Sequence, residues 1–223
     1  MFRDRQGFMQ GMNMYVPAMQ YASSLNANEG NIVTLGRPLA AGGPVTINMP
    51  ANAPGYQPDP IVLNDTPYGR NVVVAVTTAP TGSTLIRVFG EDYLGQPMVE
   101  DFAVAGATGK KPFYRILGAR GMPGHTTAPA VITVARGANL SLPWKGSIEW
   151  VKEAGAFIDL AFAKIVAPDL TDPATAVSGD PRGQYIPTAA PDGVKEYIIC
   201  LRPDGGINAN NNGGLHGIRQ YNA

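Results

Sequence analysis

Short β-branched runs, each closed by glycine or proline, leave this chain little room for anything but strands. Asn71-Val-Val-Val-Ala-Val-Thr-Thr78 ends at Pro80 and Gly82, and Thr84-Leu-Ile-Arg-Val-Phe89 follows. Gly90-Glu-Asp-Tyr-Leu-Gly-Gln-Pro97 reads as a turn, and Met98-Val-Glu-Asp-Phe-Ala-Val104 as the return strand of a hairpin. A second pair is expected from Pro112–Leu117 and Ala130–Val134, joined by a Gly/Pro/Thr loop over Gly118–Pro129. Lys195-Glu-Tyr-Ile-Ile-Cys-Leu201 is the last strand. Residues 147–166 are compatible with strand or helix. The alternation of Ile158, Leu160 and Phe162 against Asp159, Ala161 and Ala163 favours strand.

Strands of this length, separated by turn signals, predict an all-β chain: a β-sandwich or barrel-like domain with an extended N-terminal arm and a flexible C-terminal tail. The arm is placed at residues 1–60. Six of the eight methionines fall in its first 49 positions, only six charges occur in it, and prolines and glycines punctuate its second half. That punctuation forbids a long helix. Met adapts to irregular apolar surfaces, so Phe8, Met9, Met12, Met14, Tyr15, Met19 and Tyr21 are the candidate partner-contact residues. Packing of this segment on its own domain requires the same composition. The β domain is placed at 61–201, with 167–194 as a long ordered loop, and an Asn/Gly-rich tail at 202–223.

Composition narrows the function. Charged residues make 15% of the chain, against roughly 25% in ordinary soluble domains, which suits a protein ordered within an assembly. The 17 basic and 17 acidic residues cancel, which argues against dedicated nucleic-acid binding. Lys110, Lys111 and Arg115 form the densest basic cluster. Cys200 is the only cysteine, so no disulfide forms within the chain, and its apolar setting reads as a buried small hydrophobe. No signal peptide and no run of 18 apolar residues is found, so no membrane span is expected.

The motifs of catalysis are missing. There is no phosphate-binding glycine loop and no Gly-x-Ser-x-Gly elbow. His125 and His216 sit in Gly-rich loops without a second ligand at metal spacing. Asp169, Asp172 and Asp180 share one loop but match no calcium-loop spacing. Glu91-Asp92, Glu100-Asp101 and Glu153 with Asp159 are carboxylate pairs of the kind any β protein of this size carries. The expectation is therefore no enzyme, no cofactor, no metal site and no catalytic residue.

Arg87-Val-Phe-Gly-Glu-Asp-Tyr-Leu-Gly-Gln-Pro-Met-Val-Glu100, followed by Gly109-Lys-Lys-Pro-Phe113, resembles a pattern in virion structural proteins of tailed phages. Ala174-Thr-Ala-Val-Ser-Gly-Asp-Pro-Arg-Gly-Gln-Tyr185, then Pro191-Asp-Gly193, looks like a second piece of the same proteins. The resemblance implies a capsid-associated role: a decoration or cement protein of a bacteriophage, assembled in the host cytoplasm. It implies contact with the major capsid protein or other virion proteins, and self-association. A head–tail junction or tail protein fits the same residues. A carbohydrate-binding β-sandwich is the third reading. The shell-forming capsid protein, which needs a long spine helix, is disfavoured.

Overall fold

The computed structural model describes residues 31–52, 61–62, 66–161, 163–171, 174–203, 207–208 and 211–212. Every regular element among them is a strand, so the protein is all-β. In chain order these are β1 (Asn31–Gly36), β2 (Gly42–Met49), β3 (Ile61–Val62), β4 (Arg70–Thr78), β5 (Leu85–Glu91), β6 (Pro97–Ala103), β7 (Ala107–Thr108), β8 (Arg115–Met122), β9 (Ala130–Ser141), β10 (Gly146–Glu153), β11 (Ala156–Ile158), β12 (Lys164–Val166), β13 (Gln184–Ile186) and β14 (Tyr197–Pro203), then a two-residue pair, β15 (Ile207–Asn208) with β16 (Asn211–Asn212). Within 147–166 the strands are β10, β11 and β12, as the strand reading expected, but the alternating residues Asp159, Leu160, Ala161 and Ala163 are not in strand: the Ala163 N–H donates to the Asp159 and Leu160 carbonyls in a turn between β11 and β12.

Three antiparallel sheets carry the fold, ordered β1-β14-β10-β11, β12-β13-β9-β4-β7 with β2 also on β9, and β3-β8-β5-β6. The β5–β6 hairpin runs in register from Leu85↔Ala103 to Glu91↔Pro97. Its turn is built by Asp92, whose carboxylate accepts the Leu94 and Gln96 N–H groups, each at 2.9 Å. Gly95 takes the left-handed φ of +76° that the turn requires.

The cores are two, and β9 joins them. Ala130, Ile132 and Val134 of its first half pack with Ile47, Met49, Val72, Val74, Ile86, Val88, Met98 and Phe102. Leu140 at its end, with Leu142 and Trp144 beyond, packs with Val33, Leu35, Val151, Tyr185, Tyr197, Ile199 and Leu201. Between the halves the register slips, because Val72 lies opposite Arg136 while Arg70 lies opposite Leu140. Asn71 fills the gap. Its Oδ1 accepts the Asn139 N–H at 2.9 Å and its Nδ2 donates to the Gly109 carbonyl at 3.0 Å.

Two expectations are corrected. The stretch 1–60 contains β1 and β2, and Val33, Leu35, Ile47 and Met49 are core residues, since their alternation buries one face of each strand. Residues 1–30, with all seven candidate contact residues, lie outside the described residues. β8 and β9 also do not pair with each other. β8 runs on through the expected loop to Met122 and joins β5 and β3, whereas β9 joins β2, β4 and β13.

A Cβ at Gly137 would stand 2.1 Å from Asn71 Oδ1 and 2.4 Å from Asn71 Cγ. Gly137→Ala is expected to cost about 2–4 kcal/mol, from overpacking and a broken buried hydrogen bond. Urea unfolding of the two chains checks this.

Candidate functional site

The two segments that carry the resemblance fold against each other in a buried polar belt between the cores. Arg182 is its centre. Its guanidinium reaches Asp180 Oδ1 at 3.2 Å and Asp92 Oδ2 at 3.4 Å, and all three side chains are almost wholly inaccessible. The Tyr93 ring lies 4.8 Å from the guanidinium carbon, and the Tyr93 hydroxyl donates to the Pro143 carbonyl at 2.8 Å. Ser141, at the end of β9, donates to Asp180 Oδ2 at 2.8 Å.

The belt continues through Glu100 on β6. Its carboxylate accepts the Lys110 N–H at 2.5 Å and the Lys111 N–H at 3.2 Å. The buried Lys111 ammonium donates to the Thr175 carbonyl at 2.6 Å, and the Asp101 N–H donates to the Ala176 carbonyl at 2.8 Å. Gln184 on β13 donates to the Lys110 carbonyl and accepts from Asn139. At the far end Arg70 donates to the carbonyls of Gly137 and Leu39. The 174–184 loop is thus fastened to β6, β9 and the β5–β6 turn at once.

Burial sets the protonation of these groups. It pushes the Glu100 carboxyl up to about 7, against the opposing pull of the Lys110 and Lys111 amides. It brings the Lys111 ammonium down to about 8, with Glu100 opposing. Asp92 is also raised by burial, which outweighs the attraction of Arg182. The Asp180 carboxylate, which shares that guanidinium, raises Asp92 in the same direction as burial.

Lys110, Lys111 and Arg115, the densest basic run of the sequence, do not form one patch, because Lys111 points inward and Arg115 pairs with Glu91 at 3.0 Å. Asp101 takes both hydrogen bonds of Arg87, at 2.6 and 2.8 Å. Glu153 accepts from the Tyr185 hydroxyl, from the N–H and hydroxyl of Thr188, and from the Ala189 N–H. Burial raises its carboxyl, but these four donors together hold it below the usual range. Asp169 and Asp180 are apart in function. Asp169 accepts from Gly179 and Thr171, while Asp180 serves Arg182 and Ser141. Asp172 and His216 lie outside the described residues, among which no three His, Cys, Asp or Glu groups stand together at metal-binding distance. The Cys200 thiol is buried, and that burial, with Glu149 beside it, raises its pKa. No helix long and apolar enough to cross a membrane occurs among the described residues.

Sequence reading missed the pairing of Asp92 with Arg182. The signal available was the Asp-Pro-Arg-Gly at 180–183, a charged turn within an otherwise apolar and neutral neighbourhood. Comparison with protein-family models, with curated proteins and with solved structures finds no match to this chain.

Arg182→Met leaves two buried carboxylates facing one another without their cation, and is expected to cost about 3–5 kcal/mol. Arg87→Met, at a partly exposed pair, is expected to cost about 1 kcal/mol or less. Equal losses in urea unfolding would count against the central place given to Arg182.

The Glu100 and Lys111 shifts give a pH signature. Unfolded Glu100 releases its proton near 4.5 and folded Glu100 near 7, so the folded state holds more protons between and stability falls as pH rises through that window. Unfolded Lys111 keeps its proton to about 10.5 and folded Lys111 to about 8, so stability rises with pH between those values. Relative to Glu100→Gln, the native chain should lose stability from pH 5 to pH 7.5, as read by urea midpoints. A constant difference between the two chains would refute the assignment.

Proposed function

We propose that this protein is a non-enzymatic structural protein of a tailed-phage virion, which binds the capsid shell and stabilises it as a decoration or cement protein. The observation that carries the reading is the direction in which the two resembling segments point their polar groups. Asp92, Glu100, Lys111, Asp180 and Arg182 all face inward and hold one loop against β6, β9 and the β5–β6 turn. Such a network rigidifies a frame and leaves none of those groups to act on a substrate.

The outer surface supports the same role. Leu160, Ile165, Val166, Leu170 and Val177 are exposed along one stretch of chain. That stretch includes β12, the edge strand of its sheet, where a single Lys164 is the only charge. β12 itself is blunted, being three residues long with Lys164 on it. The exposed aliphatic side chains beside it suit burial against a neighbouring subunit, and a standard interface covers roughly 1,200–2,000 Å². The partners under this reading are the major capsid protein, other virion proteins and further copies of this chain.

Quantitative mass spectrometry of purified particles tests the proposal. A copy number comparable with that of the major capsid protein is the expected result. A handful of copies per particle would place the protein at the head–tail junction or tail instead. Absence from the particle would overturn the virion reading and return the glycan-binding alternative. In the same particles, Ile165→Glu with Leu170→Glu, both at exposed positions, should reduce occupancy about tenfold while leaving the fold intact, a loss of about 1.4 kcal/mol in binding.

A further inference from the structure

The outer face of the β1-β14-β10-β11 sheet is apolar and aromatic where a solvent-facing sheet is ordinarily polar. Strand register places its residues. Ile32 of β1, Cys200 of β14 and Trp150 of β10 stand in one row, and Thr34, Ile198, Lys152 and Phe157 of β11 in the next. The opposite faces of these strands carry Val33, Leu35, Val151, Ile199 and Leu201, which belong to the core. Ile32 at one edge is 68% exposed and Phe157 at the other is 67% exposed. Trp150 and Phe157 meet edge-to-face at 5.6 Å, with the Lys152 ammonium 4.3 Å from the Phe157 ring centroid. A Glu149–Arg202 pair at 3.6 Å closes the lower border.

We infer that residues 8–21 of this chain cover that face. The chain preceding Asn31 enters the sheet at its edge strand, one residue before Ile32. Between Arg5 and Glu29 it has no charged residue, and within it stand Phe8, Met9, Met12, Met14, Tyr15, Val16, Met19 and Tyr21. An uncharged segment matches a face whose one unpaired ionic group, Lys152, already lies over aromatic rings. Methionine thioethers fill irregular apolar gaps and make favourable contacts with aromatic rings such as Trp150 and Phe157. Reach is not limiting. The ten Cα–Cα steps from Tyr21 to Asn31 extend to about 33 Å, and four strands span about 14 Å. The segment therefore reaches the face of its own chain or of an adjoining copy. The inference does not depend on the virion reading, because it concerns the purified chain alone.

Hydroxyl-radical footprinting of the full-length chain reads Met, Tyr, Phe and Trp side chains directly. Met12, Met14 and Tyr15 are expected to oxidise several-fold more slowly in the full chain than in a peptide of residues 1–30. Ile32→Glu with Phe157→Glu should remove that protection, and Leu117→Glu, on the separate β3-β8-β5-β6 sheet, should leave it. Reciprocally, Met12→Glu with Tyr15→Glu, which changes none of the described residues, should raise Trp150 oxidation several-fold. Protection that survives dilution identifies the segment's own chain as the donor, and protection lost on dilution identifies a neighbouring copy. Both results support the inference. Oxidation of Met12, Met14 and Tyr15 at the peptide's rate would overturn it, as would protection unchanged in the Ile32/Phe157 variant. Protection of Trp150 and Phe157 at high concentration with the N-terminal segment fully reactive would overturn it as well, showing that a second copy's sheet covers the face.

Discussion

Arg182, held between Asp92 and Asp180 away from water, is the interaction on which the arrangement of this protein turns. A guanidinium removed from solvent is tolerated only where carboxylates and hydrogen bonds replace its hydration. Here the carboxylates come from the β5–β6 turn, with Asp92, and from the 174–184 loop itself, with Asp180, which Ser141 at the end of β9 holds by donating to its other oxygen. Each must be in position for the others to be stable. Such a network adds little net stability over an apolar core of equal volume, but it penalises misregistered arrangements heavily. That is the property needed where two apolar cores, each indifferent to small slips, must be set at one relation along a single strand.

The same network separates mechanics from surface. Its ionisable groups face inward and are engaged by one another or by backbone amides, so they fix the frame. The exposed aliphatic and aromatic residues lie elsewhere, along and beside β12 and on the outer face of the β1-β14-β10-β11 sheet. A rigid frame with apolar edges and few exposed charges is suited to an assembly. It gains its specificity from shape and backbone edges rather than from reactive groups. Low charge, which disfavours a dispersed soluble protein, is consistent with that use.

Several elements were legible before the structure. The hairpin over residues 85–103 follows from a period-two pattern interrupted by Asp92 and Gly95, both serving the turn as their chemistry suggests. β4 and β14 follow from their β-branched runs, whereas the alternating residues Asp159, Leu160, Ala161 and Ala163 fall in a turn and the strands lie to either side of it. Misjudged features share one cause. Residues 31–49 were placed with an extended arm because proline and glycine punctuate them, whereas Val33, Leu35, Ile47 and Met49 are buried in the cores. Neighbouring strands β8 and β9 seemed a hairpin, yet β8 pairs with the earlier β3 and β5, and β9 with β2, β4 and β13. Composition describes an average over a window, whereas burial is decided residue by residue on one face of a strand.

What the sequence determined by itself was local: where strands run, where Gly95 and Asp92 turn the chain, and the all-β class that follows. These depend on side-chain period and on backbone preferences within a few residues. Tertiary structure alone decided that β9 would serve two cores, that Asn71 would fill the slip beside Gly137, and that Asp92 would meet Arg182 across ninety positions. A charge carries no mark of its partner in the linear chain. Only the exclusion of water in the folded interior makes one particular pairing far more stable than the rest.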